Sequence, residues 1–276
     1  MNEDERSVWV RDFRWNTYEN QQTAKLLASD LEYALSKGAL ELYYQPQVKR
    51  DGTLYGCEAL LRWNYMGQGF VYPPLIIALA VQGDFIGTLG MYIVEKACRD
   101  MAGARTQAGC PVSFSVNILP LELEDPSFAD HVLRILKDTG VEGSNLTIEL
   151  TEQVALNPGP NLERQLEKLR ESRVRISMDD FGMGHGSLNY LNSAHYDEVK
   201  IDGSLIRRLP EHTQTCELVG NIMNMSRILG VSTVAECVET PEQIQMLEKL
   251  GCSIYQGYYY SKPLPRDAFI EYVKGL

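Results

Sequence analysis

The chain has 276 residues, 44% hydrophobic and 23% charged, which describes a globular protein with material for a large core, within the length of one α/β barrel. A net charge of −11 argues against nucleic acid as a partner, because nonspecific binding to phosphates rests on clustered Lys and Arg. No apolar run is long enough to cross a bilayer and the start, Met1-Asn2-Glu3-Asp4, is acidic, so the expected location is cytoplasmic, free or as part of a larger or membrane-attached protein, with no membrane contact by this domain.

Residues 1–22 show no clear period and read as a leader or linker, with one domain expected over 23–276. Leu26, Leu27, Leu31 and Leu35 then follow a helical period that Gly38 ends. Two strand-like runs follow at 40–48 and 54–63, and Asp51-Gly52 between them predicts an antiparallel hairpin. Beyond it, helical stretches near 88–108, 127–139, 161–172, 213–229 and 241–250 alternate with β-rich runs near 112–117, 145–150, 174–179, 196–201, 231–236 and 252–256. Asp125-Pro126 and Thr240-Pro241 each place a cap before a proline at the first helical position, and Gln243 completes a capping box. Gly109, Gly140, Gly230 and Gly251 stand where helices should stop. With the opening pair this predicts an α/β fold, a TIM-like (β/α)8 barrel whose first strand is antiparallel. The cysteines, Cys57, Cys98, Cys110, Cys216, Cys237 and Cys252, form no Cys-x-x-Cys pair and read as reduced core residues.

Polar residues recur at the ends of these strands. Asn117, Glu149, Asp179 with Asp180, Lys200, Glu236 and Gln256 each close a predicted run, and Glu58 lies within the second. The carboxyl ends of barrel strands share one face, so these groups should converge on one mouth. Carboxylates resist sharing a pocket unless a cation joins them, and oxygen-only ligands suit Mg²⁺ or Mn²⁺ rather than zinc. The adjacent Asp179 and Asp180 suit two ions that share a ligand, the arrangement that supports in-line phosphoryl displacement, with Lys200 holding the water or neutralising phosphate. Asp180-Phe181-Gly182 has the order of a kinase magnesium motif, but no glycine-rich phosphate loop or catalytic-loop signature accompanies it.

Glu58-Ala59-Leu60-Leu61-Arg62-Trp63 resembles the signature of the EAL phosphodiesterases. Tyr43-Tyr44-Gln45-Pro46, Ser115-Val116-Asn117, Glu149-Leu150-Thr151-Glu152, Asp179-Asp180-Phe181-Gly182, Lys200-Ile201-Asp202, Ala235-Glu236, Val238-Glu239-Thr240 and Gln256-Gly257-Tyr258 follow in the family's order from about residue 27 onward. The resemblance implies a first metal held by Glu58, Asn117, Glu149 and Asp179, and a second held by Asp179, Asp180 and Glu236. It implies a catalytic set of Lys200, Glu236, Glu239 and Gln256, in which Lys200 holds the attacking water and Glu239 orients it. Gln45, Leu60, Arg62 and Asp202 resemble substrate-contacting positions, with Arg62 facing a phosphate. Family members open cyclic di-GMP to linear pGpG with two Mg²⁺ or Mn²⁺ ions, are inhibited by Ca²⁺, and commonly work as homodimers, often beside a regulatory or GGDEF domain.

The chain departs from the family in the loop Asp180-Phe181-Gly182-Met183-Gly184-His185-Gly186-Ser187, where Gly186 replaces the serine that Glu152 commonly anchors. That change bears on metal affinity and dimer coupling. Asn64-Tyr65-Met66 replaces a frequent His-Pro, and Cys237 a usual glycine. His185 and the run Tyr258-Tyr259-Tyr260 read as packing before they read as substrate contacts. Two other functions stay open: a receptor that binds cyclic di-GMP without cutting it and signals to a protein partner, and a hydrolase of another phosphodiester.

Overall fold

The protein is described by a computed structural model over residues 18–109, 111–151, 160–182 and 196–275. Strands β1 (Glu41–Lys49) and β2 (Leu54–Arg62) form the expected antiparallel hairpin, with Gln45 opposite Glu58 and Tyr43 opposite Leu60. Asp51 shapes the turn by accepting from the N–H and Oγ1 of Thr53 at 3.0 and 2.6 Å. The sheet continues in parallel through β3 (Phe114–Asn117), β4 (Leu146–Thr151), β5 (Arg175–Phe181), β6 (Glu198–Ile201), β7 (Ser232–Ala235) and β8 (Ile254–Gln256). Strand β1 then pairs with β8, again antiparallel, and closes the ring. The result is the TIM-like barrel of eight strands with a reversed first strand. A short β9 (Leu264–Pro265) extends the same edge of β1 past the end of β8.

The helices are α1 (Tyr18–Ser36), α2 (Pro73–Gln82), α3 (Ile86–Ala108), α4 (Pro120–Leu123), α5 (Phe128–Thr139), α6 (Pro160–Glu171), α7 (Gly203–Ile206), α8 (Thr213–Leu229), α9 (Pro241–Leu250) and α10 (Arg266–Lys274). At α9 the capping box forms as the sequence predicts: Gln243 N donates to Thr240 Oγ1 and Thr240 N to Gln243 Oε1. Gly109, Gly140, Gly230 and Gly251 all take left-handed φ immediately after helices. Asp125-Pro126 behaves differently. Asp125 Oδ1 accepts from Ser127 N and Oγ at 2.8 Å, making a turn of its own, and α5 starts after it at Phe128.

Alternation along the strands sorts the two faces. Ile148 and Leu150, Val116, Ile176, Val199 and Ala235 point outward into the apolar layer beneath the helices. Ser115, Thr147, Ser177, Glu198 and Lys200 alternate with them, face inward and are buried. This barrel is therefore filled by polar side chains. At its lower end Arg175 donates to Tyr55 Oη and Glu198 Oε2, and Tyr55 Oη donates to the same carboxylate at 2.7 Å. The C-terminal helix is fastened through Asp100 on α3, which accepts from Tyr44 Oη at 2.7 Å and lies 3.3 Å from Arg266 Nε.

Arg173 ends the turn after α6 with φ +65°, a conformation that costs an L-residue about 1 kcal/mol and glycine almost nothing. Its backbone N–H, donated to Arg170 O at 2.8 Å, survives substitution. Arg173→Gly should raise stability by about 1 kcal/mol, read as a higher urea midpoint at unchanged slope; an unchanged or lower midpoint would refute the strain argument.

Candidate functional site

Six strand ends, from β3 to β8, and the hairpin strand β2 supply the mouth of the barrel. Lys200, on β6, is fully buried, and its Nζ lies 2.7 Å from Glu236 Oε1, 2.9 Å from Glu149 Oε2, 3.2 Å from Asp179 Oδ1 and 3.3 Å from Glu58 Oε2. Those carboxylates come from the residue just after β7 and from β4, β5 and β2. Glu58 is held further by Asn117 Nδ2, which donates to Oε1 at 2.8 Å, and by Gln256 Nε2, which donates to Oε2 at 2.6 Å. Gln256 in turn accepts from Gln47 at 2.9 Å, and its amide reaches Gln45 Oε1 at 3.3 Å. Asp180 joins because β5 changes register between Met178 and Phe181, and its φ of +56° turns the side chain toward Asp179. A bulge at a barrel rim does this by opposing extra residues to one partner.

The group's charges are strongly perturbed. Burial would depress Lys200, but Asp179, Glu149, Glu236 and Glu58 overcome it and hold the ammonium well above its ordinary value. Burial raises Glu149 well above the carboxylate range and Glu236 to about 8, with Lys200 opposing both. Burial also acts upward on Glu58, yet Lys200 and the donations from Gln256 and Asn117 bring it below its ordinary value. Asp180 is raised by burial and by the charges of Asp179 and Asp202.

One ammonium does not neutralise this set. Oxygens of Asp179, Asp180 and Glu236 all come within 4.8 Å of one another, a spacing that admits a metal ion. Glu149 Oε1 and Asp179 Oδ1 are buried without a hydrogen-bond partner, the latter near Lys200 but out of line with its donors. Unsatisfied buried oxygens of this kind are ligands in waiting, and an all-oxygen set suits a hard divalent cation. The residues present therefore fit a metal.

The remaining candidates are placed less centrally. Gln45 donates to Ser261 O at 3.3 Å, and the Arg62 guanidinium lies 5.6 Å from the Tyr43 ring centre. Leu60 and Arg62 both line a cavity beside the carboxylates. Asp202 caps α7 by accepting from Ser204 N at 2.8 Å. Glu239 is exposed at the rim, with its own N–H donated to Gln243 Oε1. Glu152, Met183, His185 and Gly186 lie outside the described residues, and with them the loop argument.

A family model of the EAL domain matches residues 28–263. The chain belongs to the EAL domain family. Over 243 residues it is 35% identical to the oxygen sensor protein DosP of Escherichia coli (strain K12), covering 88% of this chain and 30% of that protein. The cyclic di-GMP phosphodiesterase NbdA of Pseudomonas aeruginosa (strain PAO1) is 34% identical over 249 residues, 90% of this chain and 32% of its own. A solved complex of the PaMucR phosphodiesterase with c-di-GMP superposes at a TM-score of 0.83, with 33% identity, over 88% of this chain and 99% of that one. This EAL domain spans less than a third of DosP or NbdA. Among the described residues no helix is long and apolar enough to cross a membrane.

One acidic residue at this EAL domain's mouth gave no signal in the sequence. Glu122, on α4, is 5% exposed; its Oε2 accepts from Leu119 N at 2.7 Å, while Oε1 is buried without a partner. Burial raises its carboxyl to about 7, against a smaller pull downward from the Leu119 N–H. An acid raised on folding stabilises below its unfolded value, near 4.5, and loses that contribution as pH rises through its folded value of about 7. Glu122→Gln keeps an acceptor for Leu119 and removes the charge. It should be more stable than the parent by about 2–3 kcal/mol at pH 8 and nearly equal at pH 4.5, measured by urea unfolding. A gap independent of pH would contradict the assignment.

Proposed function

We propose that this EAL domain is a metal-dependent phosphodiesterase that hydrolyses cyclic di-GMP to linear pGpG. The observation that carries the reading is the Lys200 ammonium held among Glu58, Glu149, Asp179 and Glu236 at a barrel mouth whose remaining oxygens fit a metal. It is supported by the likeness to proteins named as cyclic di-GMP phosphodiesterases. Glu58, Asn117, Glu149 and Asp179 would hold one Mg²⁺ or Mn²⁺ ion, and Asp179, Asp180 and Glu236 a second. Bound there, the ions would lower the pKa of a water and offset charge on the phosphoryl oxygens.

The chain's own groups have distinct tasks. Lys200 cannot act as a base, since its neighbours keep it protonated; it donates to the attacking oxygen and fixes the line of approach. Gln256 and Asn117 keep Glu58 ionised and oriented, so that strand β2 presents a charged ligand instead of a protonated acid. Glu239 is assigned to orienting the water and Glu152 to anchoring the loop after β5, both by resemblance. Arg62, steadied over Tyr43, faces a phosphate. Gln45, Leu60 and Asp202 complete the substrate side. A chain of net charge −11 binds a dianionic substrate here because the cations reverse the local sign. Calcium would compete for the same oxygens while accepting looser geometry, and so inhibit. In this reading the domain works in the cytoplasm as a homodimer and takes its input from a regulatory or GGDEF domain of a longer protein.

Chromatography of cyclic di-GMP incubated with the protein in Mg²⁺, in Mn²⁺ and with chelator tests the reading; pGpG should appear in either metal and not with chelator. Lys200→Ala should lower kcat by about 10²–10⁴-fold while substrate still binds, and Glu58→Ala should abolish turnover. Binding of intact cyclic di-GMP without cleavage in either metal would replace the hydrolase with a receptor.

A further inference from the structure

Beside Glu58, strands β1 and β8 bring together three buried glutamines, Gln45, Gln47 and Gln256. Gln47 stands directly opposite Gln256 in the ladder between these strands. On its other side β1 pairs with β2, where Gln47 faces Gly56. A Cβ on Gly56 would come within 3.3 Å of Gln47 Oε1 and 2.9 Å of Ser113 O, so this glycine leaves the space that the Gln47 amide occupies. The amides of the row all point the same way. Gln47 Nε2 donates to Gln256 Oε1 at 2.9 Å. Gln256 Nε2 donates to Glu58 Oε2 at 2.6 Å and to Gln45 Oε1 at 3.3 Å, and Gln45 Nε2 donates onward to Ser261 O at 3.3 Å. Among the described residues, the hydrogen bonds of Gln47 lead to Glu58 only through Gln256.

We propose that Gln47 is a positioning residue for Glu58, one of the acids assigned to the first metal ion, and that it acts through Gln256. The proposal rests on the metal-dependent reading above. An amide has a donor end and an acceptor end, and a half-turn about its last bond exchanges them. Turned over, Gln256 would set its oxygen against Glu58 Oε2 and Gln45 Oε1, and its nitrogen against the Gln47 nitrogen. Gln47 opposes that arrangement from one side as Glu58 does from the other, so the Gln256 amide is held at both ends. A buried amide oxygen deprived of its donor is costly, and it turns toward the next donor within reach. That turn would withdraw the Gln256 N–H from Glu58. The acid would keep Asn117 on Oε1 and Lys200 3.3 Å from Oε2, and would lose the shortest of its bonds. Outer partners of this kind set the direction in which a ligand presents its lone pairs, and losing one weakens metal binding by about 10–100-fold. Gln47 is thus a member of the site supplied by the reversed first strand, one residue removed from the acid it serves.

A double-substitution cycle tests this. Mn²⁺ is titrated calorimetrically, without substrate, into the wild type, Gln47→Met, Gln256→Met and the double variant; methionine keeps the length of the side chain and removes the amide. Gln47→Met should bind Mn²⁺ about tenfold or more weakly than the wild type. In the Gln256→Met background the same substitution should change the affinity by less than about twofold, because the path to Glu58 is already cut. Gln47→Leu serves as a second variant should methionine disturb the fold. An unchanged affinity on substitution of Gln47, or an equal loss in both backgrounds, overturns the proposal. A second cycle needs no metal. Urea unfolding in chelator compares Gln47→Met and Glu58→Gln, singly and together. Their effects should be non-additive by about threefold or more in the unfolding equilibrium constant, although the two residues share no hydrogen bond. If the wild type takes up no Mn²⁺, the metal-dependent reading falls, and the unfolding cycle still decides whether Gln47 reaches Glu58; additive effects there overturn the positioning role.

Discussion

The contact of one buried ammonium with four carboxylates sets the terms for the rest of this barrel. Each charge taken from water costs several kcal/mol, and that cost is offset only when partners arrive with good geometry. Lys200 obtains them from four other strands, β2, β4, β5 and β7, so the arrangement cannot exist until the ring is closed. Removing the ammonium would leave buried acids whose pKa values already rise in its presence, Glu149 and Glu236. The reversed first strand matters for the same reason. Strand β1 places Gln45 and Gln47 against Gln256, and Gln256 passes a donor to Glu58. The antiparallel closure therefore completes the hydrogen-bond shell of an acid that a parallel strand with an apolar interior would leave bare.

A polar barrel interior also distributes strain. Asp180 takes φ +56° and Cys237 φ +53°, next to Asp179 and Glu236 respectively. Conformations of this kind cost about 1–3 kcal/mol each and persist where the surroundings over-determine them. Here the surroundings are the apolar shell outside the strands and the salt-bridged plug below, where Tyr55, Arg175 and Glu198 close the floor. Among the described residues, the unpaired carboxylate oxygens and raised acids of the strand ends thus gather at the mouth, while at the floor Tyr55, Arg175 and Glu198 satisfy one another. That polarity separates the end that does chemistry from the end that holds the fold.

Much of this was legible in the sequence for a physical reason. A strand that buries one face in a helical layer and turns the other into a polar interior must alternate, and its last inward residues are those at the mouth; Asn117, Glu149, Asp179, Lys200 and Gln256 all lie at or within two residues of a strand end. The hairpin and the cap at Thr240 were legible because local chemistry decides them. Helix α2 was not, since Leu75, Ile76, Ile77 and Leu79 give an apolar run with little periodicity, and its two prolines mark a start only once a helix is known. Helix α10, at the end of the chain, was likewise missed, and at Asp125 a side-chain turn displaced the cap by two residues. Glu239 has a motif that is plain in the sequence, and it stands exposed at the rim. Glu122 carried no signal, because an acid between two leucines on a four-residue helix looks like a solvated face until burial is known.

The division of labour follows from which element each group rides on. Strand-end carboxylates are fixed by the hydrogen-bonded ring, and they do not vary without breaking the charge balance around Lys200. Residues on α2, α3 and α4 belong to the layer outside that ring, where α3 is also tied to β1 by the Tyr44–Asp100 hydrogen bond. Glu122 sits on that side of the boundary: it lines the cavity and does not touch Lys200, and its raised pKa comes from burial, opposed only by the Leu119 N–H.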